Sequence, residues 1–115
     1  MRKWSDYKGR FAVSSVTTKN LSTSMEFPRE GVFSKVLVKT PKSNHTLMCL
    51  SKGTDISEHT STREAAVTVL KGKGIFFIKK TKIKMEPGVF IFMPKDTPHA
   101  LSASEDLAFL LSLSG

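Results

Sequence analysis

The sequence predicts an all-β domain, built as either a sandwich or a barrel. Several runs of about four to eight residues are rich in β-branched and aromatic side chains, and turn-forming Gly, Pro, Asn and Asp separate them. Apolar residues with helical spacing are suggested only at 105–110. Many short strands in a chain of 115 residues are typical of a single sandwich or barrel with one core.

Residues 1–30 are predicted to form an N-terminal arm in front of a barrel at 31–115. The arm is rich in Ser and Thr and shows no sustained period, so we expect extended chain with one short strand over Arg10–Val13. Its aromatic residues Trp4, Tyr7 and Phe11 would dock it on a barrel face or on a partner subunit.

The strands of the barrel are predicted one by one from apolar runs between turns. The first covers Val32–Lys39, and the turn Thr40–Asn44 leads into a second at His45–Ser51. Later strands are predicted at Ala65–Leu70, Ile75–Ile78, Thr81–Met85, Val89–Met93 and Ala108–Leu113. Gly72 and Gly74 mark a bend, Glu86-Pro87-Gly88 has the composition of a type II turn, and 94–98 is a loop.

The net charge of +8 raises the question of nucleic-acid binding. Six lysines lie between Lys71 and Lys84, but they alternate or pair along a predicted hairpin without the interleaved aromatic residues that stack bases. They are better explained as a solvated strand edge that discourages aggregation, so no nucleic-acid partner is expected.

The single Cys49 lies in an apolar run and is expected to be a buried, unreactive thiol. A lone cysteine fits a reducing compartment, and the predicted location is cytoplasmic. No window approaches the roughly 18 apolar residues of a membrane span, so no membrane association is expected.

Two spaced motifs carry a family resemblance. In the first, Gly53 is followed after five residues by His59, then by Ser61 and by the strand that ends at Gly74. In the second, Gly88 is followed after five residues by Pro94, and His99 closes the motif. In this order and spacing the motifs resemble those of the cupin superfamily, over about 32–113.

The resemblance implies a small jelly-roll β-barrel with a short N-terminal arm, commonly a homodimer formed by sheet packing or by exchanged N-terminal strands. In metal-binding cupins the first motif supplies two histidines and a glutamate, and the second supplies a third histidine. Here His59 and His99 match, but Ser61 stands at the second histidine, and the glutamate position falls on Ala65 or Ala66.

The metal motif is therefore half missing. Glu64 lies one residue too early and should face away from the site, because side chains alternate along a strand. A divalent ion needs three or four protein ligands, so two imidazoles would hold Zn, Ni, Mn or Fe weakly. His45 is a weak candidate for a third donor if its side chain points inward, and Glu58 and Glu64 are carboxylate candidates.

Three functions stay open, and whether the protein is an enzyme is undecided. The first is binding of a small molecule in a pocket around His59, Ser61, Ala65 and His99, with or without a weakly held metal. The second is a metal-dependent enzyme of dioxygenase or isomerase type. The third is a metal-free epimerase-like enzyme with a histidine as general base and Asp96 or Glu64 to orient it.

The phenylalanines are predicted to be mostly core by strand alternation: Phe76, Phe77, Phe90, Phe92 and Phe109. One face of the strand Ile75–Ile78 must nevertheless point away from the barrel interior. A homodimer interface would cover the apolar side chains left on that face.

Overall fold

Two antiparallel β-sheets pack face to face in the computed structural model, which describes residues 16–115. The strands are β1 Val32–Lys39, β2 Ser43–Leu50, β3 Asp55–His59, β4 Glu64–Lys71, β5 Gly74–Ile78, β6 Thr81–Met85, β7 Phe90–Met93, β8 His99–Ala103 and β9 Leu107–Ser114. One sheet has the order β1-β2-β9-β4-β7 and the other β3-β8-β5-β6. The chain thus crosses repeatedly between the sheets, and the predicted all-β jelly-roll barrel is confirmed.

The predicted elements agree with the structure at most strands. The bounds of β1 and β6 are those predicted, and the turn before β7 is closed by the Val89 N–H, which donates to the Glu86 carbonyl at 3.0 Å. Strand β3 was not predicted, because Ile56 is its only apolar residue. Residues 107–110 belong to β9 and are not helical.

The described part of the predicted arm contains a short helix, α1, at Leu21–Ser24. The Asn20 side chain caps it by accepting a hydrogen bond from the Thr23 N–H at 3.2 Å, which explains how a single turn forms without apolar periodicity. The predicted strand Arg10–Val13 and the aromatic residues of the arm, Trp4, Tyr7 and Phe11, lie outside the described residues.

The main core lies between the two sheets. Alternate residues of each strand point into it, as in β4, where Ala65, Val67 and Val69 are buried. Its buried members are Leu50, Ala65, Val67, Val69, Phe76, Met85, Ile91, Met93, Leu101, Ala103, Leu107 and Phe109. Burying these side chains supplies the main free energy that holds the sheets together.

A second, smaller core covers the outer face of the five-stranded sheet. Leu47, Cys49 and Ala108 are fully buried there, because the segment after α1 lays Met25 and Phe27 over them. Burial raises the pKa of the Cys49 thiol, so the thiolate is disfavoured. The described part of the predicted arm therefore packs on its own barrel.

The outer face is not covered at its other end. Phe90 is 63% exposed and Phe92 53% exposed, so the prediction that they belong to the core is wrong. Ile91 and Met93 take the inward positions of β7 instead. Alternation along β7 allows either the two phenylalanines or Ile91 and Met93 to face inward. The pairing of β7 with β4 decides between these two sets.

The lysine-rich segment forms the β5–β6 hairpin, and β6 is an edge strand of its sheet. Lys82 and Lys84 are exposed on it, as expected for an edge that is protected by charge. The helix at 21–24 is far too short to cross a membrane, and residues 16–115 contain no longer one.

Candidate functional site

The structure brings His59 and His99 together at a cavity between the two sheets. Their ring centroids are 4.2 Å apart, with the ring planes inclined at 58°. The cavity has a volume of about 60 Å³ and is otherwise apolar, lined by Met48, Ile56, Val67, Phe76, Met93, Leu101, Phe109 and Leu111. Two imidazoles are therefore the polar groups of an apolar pocket.

A β-bulge in β3 turns His59 toward this cavity. Ile56 pairs with Leu101, but His59 pairs with His99, so β3 has one residue more than β8 over this stretch. Regular pairing would have set Glu58 opposite His99 and on the same face as Ile56. The extra residue exchanges the faces, so that the imidazole and not the carboxylate reaches the pocket.

Both imidazoles are held in one tautomer by backbone carbonyls. His59 Nδ1 is 2.9 Å from the Ser57 carbonyl oxygen, and His99 Nδ1 is 2.8 Å from the Thr97 carbonyl oxygen. A carbonyl can only accept a hydrogen bond, so each Nδ1 carries the proton in a neutral ring. Each Nε2 is then a free acceptor, able to bind a donor group of a ligand or a metal ion.

His99 is the more enclosed of the two histidines. It is 7% exposed, and its ring stacks on Phe76 with a centroid distance of 5.6 Å and an angle of 8°. Burial lowers the pKa of His99, the hydrogen bond to the Thr97 carbonyl opposes this, and the neighbouring His59 lowers the pKa further. The neutral form with a free Nε2 is therefore favoured at His99.

Ser61 and Ala65 do not line the cavity. Ser61 lies in the loop between β3 and β4, where its Oγ accepts a hydrogen bond from the Arg63 N–H at 3.1 Å and its carbonyl accepts one from the Asp96 N–H at 2.7 Å. Ala65 is buried in the main core on the same side of β4 as Val67. Ser61 thus organises the loop, and Ala65 contributes core packing.

The candidate third donors do not reach the pocket either. His45 lies on the outer face of β2, opposite to that of Met48, and its Nδ1 is 2.9 Å from Ser112 Oγ. Glu58 and Glu64 are exposed. Within 16–115 no three His, Cys, Asp or Glu side chains come together as metal ligands would. The described residues therefore do not fit the metal centre implied by the motif.

No described carboxylate orients either histidine. The partners of both Nδ1 atoms are backbone carbonyls, and Asp96, which was a candidate, is an exposed loop residue with φ of 64°. A histidine base in a metal-free enzyme is usually oriented by an acidic neighbour. The hydrogen bonds of the pocket therefore give no support to a metal-free epimerase-like enzyme.

Sequence reasoning missed the apolar half of the site. Phe76 was placed in the core but not beside His99, and Ile56 and Leu101 belong to strands that were not counted. The signal that could have found them is the spacing from each histidine, because Leu101 lies two residues after His99 and so shares its face of β8.

Comparison with known proteins agrees with this architecture. The family model Cupin_2, the cupin domain, matches residues 46–113. An uncharacterized protein of Aquifex aeolicus (strain VF5) is 28% identical over 89 residues, which are 74% of this chain and 73% of that protein.

Two solved structures are also similar. The conserved SPY1581 protein of unknown function from Streptococcus pyogenes has a TM-score of 0.76 and 28% identity, over 92% of this chain and 91% of that chain. A cupin 2 conserved barrel domain protein from Leptotrichia buccalis has a TM-score of 0.78 and 30% identity, over 84% of this chain and 47% of that chain. The match to the family model, the fold and the spacing of the two histidines lead to one conclusion: the chain belongs to the cupin family.

Proposed function

We propose that this cupin binds a small molecule in the pocket of His59 and His99 without a resident metal. The observation that carries the proposal is the pair of Nε2 acceptors, fixed by backbone carbonyls at an otherwise apolar cavity. Apolar walls with a few placed polar groups are the usual composition of small-molecule sites. No activity is assigned, because residues 16–115 provide neither a complete set of metal ligands nor a carboxylate that orients a histidine base.

The size of the pocket limits what enters it. A volume of about 60 Å³ is less than half of the roughly 150 Å³ that admits a benzene ring. The ligand is therefore a molecule of few heavy atoms, or one end of a larger molecule whose remainder leaves past the exposed His59. Its inner end should carry a hydrogen-bond donor for the Nε2 atoms beside a short apolar group.

We expect short primary alcohols to bind in this pocket, and methyl ethers of equal length to bind less well. The alcohol can donate to Nε2, whereas the ether offers only an acceptor. The measurement is an NMR titration that follows the imidazole signals and the methyl groups of Met48 and Met93. His99→Ala should abolish the shifts.

The matched control is His45→Ala, which removes a histidine from the outer face of the five-stranded sheet, away from the pocket. It should leave the titration unchanged. If the alcohols move none of the pocket signals, or if both alanine variants behave alike, small-molecule binding in this pocket is wrong.

The same variants test the metal-dependent alternative. We expect less than about a tenth of an equivalent of Zn, Ni, Mn or Fe in protein purified without added metal, and no change of ion affinity in His99→Ala. A stoichiometric metal that His99→Ala removes would contradict the metal-free proposal and support a metal-dependent enzyme.

A homodimer is proposed through β7, where Phe90 and Phe92 are exposed. This strand ends its sheet, so in the described chain one of its edges has no partner strand. A second copy supplies an identical edge and an identical apolar face, and such contacts are self-complementary about a two-fold axis. The dimer would cover the apolar residues that the barrel leaves on its surface.

The double variant Phe90→Ser, Phe92→Ser should be a monomer at concentrations where the unchanged protein is a dimer. Light scattering after size-exclusion chromatography measures the mass. Val36→Ser is the control, because Val36 is 56% exposed on β1, the other edge strand of the same sheet. A dimer that survives the double variant would refute this interface.

A cytoplasmic location is also proposed, supported by the buried Cys49 with its disfavoured thiolate. Neither a nucleic acid nor a membrane is proposed as a partner. The exposed lysines of the β5–β6 hairpin protect a sheet edge.

A further inference from the structure

The guanidinium of Arg63 carries two buried nitrogen atoms that have no hydrogen-bond partner among residues 16–115. Nε and Nη2 each expose less than 1 Å² and contact no acceptor in that part of the chain. Buried polar groups are nearly always paired, and an unpaired charged group is costly. Arg63 therefore has a binding capacity that the rest of the described chain does not use.

These two nitrogens belong to the same edge of the guanidinium. The N–H of Nε and one N–H of Nη2 point in parallel to one side of the planar group. This edge matches the two oxygens of a carboxylate, which accept both hydrogen bonds at once. A chloride is a single acceptor centre, so it cannot offer each donor an oxygen of its own as a carboxylate does.

Arg63 lies at the end of the loop from β3 to β4 and lines a surface cavity of about 510 Å³. Lys95, on the loop after β7, lines the same cavity and adds a second positive charge. The remaining lining residues are Thr62, Glu64, Pro94, Ser114 and Gly115. The cavity shares no lining residue with the pocket of the two histidines.

Glu64 is the one acidic side chain that lines this cavity, and it does not neutralise Arg63. The ion pairs of residues 16–115 are Lys73 with Glu105 at 3.8 Å and Lys84 with Glu86 at 3.5 Å. Glu64 is the first residue of β4 and is exposed. Among the side chains that line the cavity, an incoming anion would meet two cations and one solvated carboxylate.

We propose that Arg63 anchors an oxyanion site for carboxylate groups in this cavity, assisted by Lys95. This site is separate from the function proposed above. Because Nε and Nη2 are buried, the Arg63 guanidinium must turn to meet an anion in the cavity, and this rotation breaks no hydrogen bond of either nitrogen to residues 16–115. Binding therefore gains two charge-assisted hydrogen bonds that the free protein lacks.

The test is an NMR titration of the full chain with sodium acetate, with sodium chloride holding the ionic strength constant. The Arg63 Nε–H signal, identified by its loss in Arg63→Lys, should shift and saturate with acetate but not with chloride. Arg63→Lys keeps the positive charge and removes the paired N–H donors of the guanidinium, so it should weaken acetate binding by about tenfold. The amide signals of Thr62 and Glu64 report this binding in the variant. Lys95→Met should weaken binding less.

His99→Gln separates this site from the histidine pocket and should leave the acetate titration unchanged. Loss of acetate binding in His99→Gln would place the anion in that pocket and overturn the proposal. So would an Arg63 signal that acetate does not saturate, or an Arg63→Lys variant that binds acetate as well as the unchanged chain. If Arg63→Lys fails to fold, the amide signals of Thr62 and Glu64 in the unchanged protein decide: they should shift and saturate with acetate, and no saturating shift would overturn the proposal.

Discussion

Replacing Gly72 by Ala is expected to destabilise the fold by about 3–5 kcal/mol. Gly72 has φ of +86°, and a Cβ built there would lie 1.8 Å from the Asp106 carbonyl oxygen and 2.9 Å from Leu107 Cα. These are backbone atoms at the start of β9, which is paired on both sides by β2 and β4. The clash cannot be relieved by a side-chain rotation, so the sheet itself must shift. Urea unfolding at equilibrium measures the loss.

Gly53→Ala is the matched control, because Gly53 has φ of +87° but nothing within 4 Å of a Cβ. It carries the same backbone strain without the clash and should cost about 1–2 kcal/mol. The difference between the two losses in free energy of unfolding measures the cost of the clash between the β4–β5 bend and β9. Equal losses of stability would mean that β9 shifts at little cost in free energy, and that Gly72 is needed only for its backbone conformation.

The sequence predicted the strands best where local chemistry decides the structure. Val32–Lys39 and Thr81–Met85 are bounded by turn residues, and both were predicted with the bounds observed. Strand β3 has mostly polar side chains and is held by its pairing with β8. Such a strand depends on long-range contacts, which a local pattern does not contain.

The candidate site was predicted in its centre and not in its surroundings. The motif spacing indicated His59 and His99, and the structure brings their rings together. Alternation within β3 would have favoured Glu58 on the face of Ile56, and only the bulge turns His59 toward the pocket. A bulge arises from the pairing of two strands, so the sequence of either strand alone does not predict it.

The faces of β2 and β7 show the same limit. His45 and Met48 are three residues apart on β2, so alternation sets them on opposite faces, but the sequence does not say which of the two faces inward. In β7 every residue is apolar, so the sequence does not distinguish Phe90 and Phe92 from the buried Ile91 and Met93. A shift of one residue in register would exchange these roles.

Phe76→Ala is the second variant with a large expected effect, a loss of about 3–5 kcal/mol of stability. Phe76 is 1% exposed, belongs to the main core and stacks on the ring of His99. Its removal leaves a void that joins the present pocket and lets water approach the imidazole. Desolvation by burial is the main cause of the lowered pKa of His99, so the pKa should rise toward its ordinary value of 6.5.

Urea unfolding gives the stability, and an NMR titration of the His99 ring gives the pKa. Phe77→Ala is the control, because Phe77 is the next residue of β5, points to the other face and is only half-buried. It should cost less stability and leave the His99 titration unchanged. A large loss of stability in Phe76→Ala with no change in the His99 pKa would show that other walls of the pocket keep water from the imidazole. A raised pKa would identify Phe76 as the side chain that keeps His99 neutral, with Nε2 free to accept a ligand.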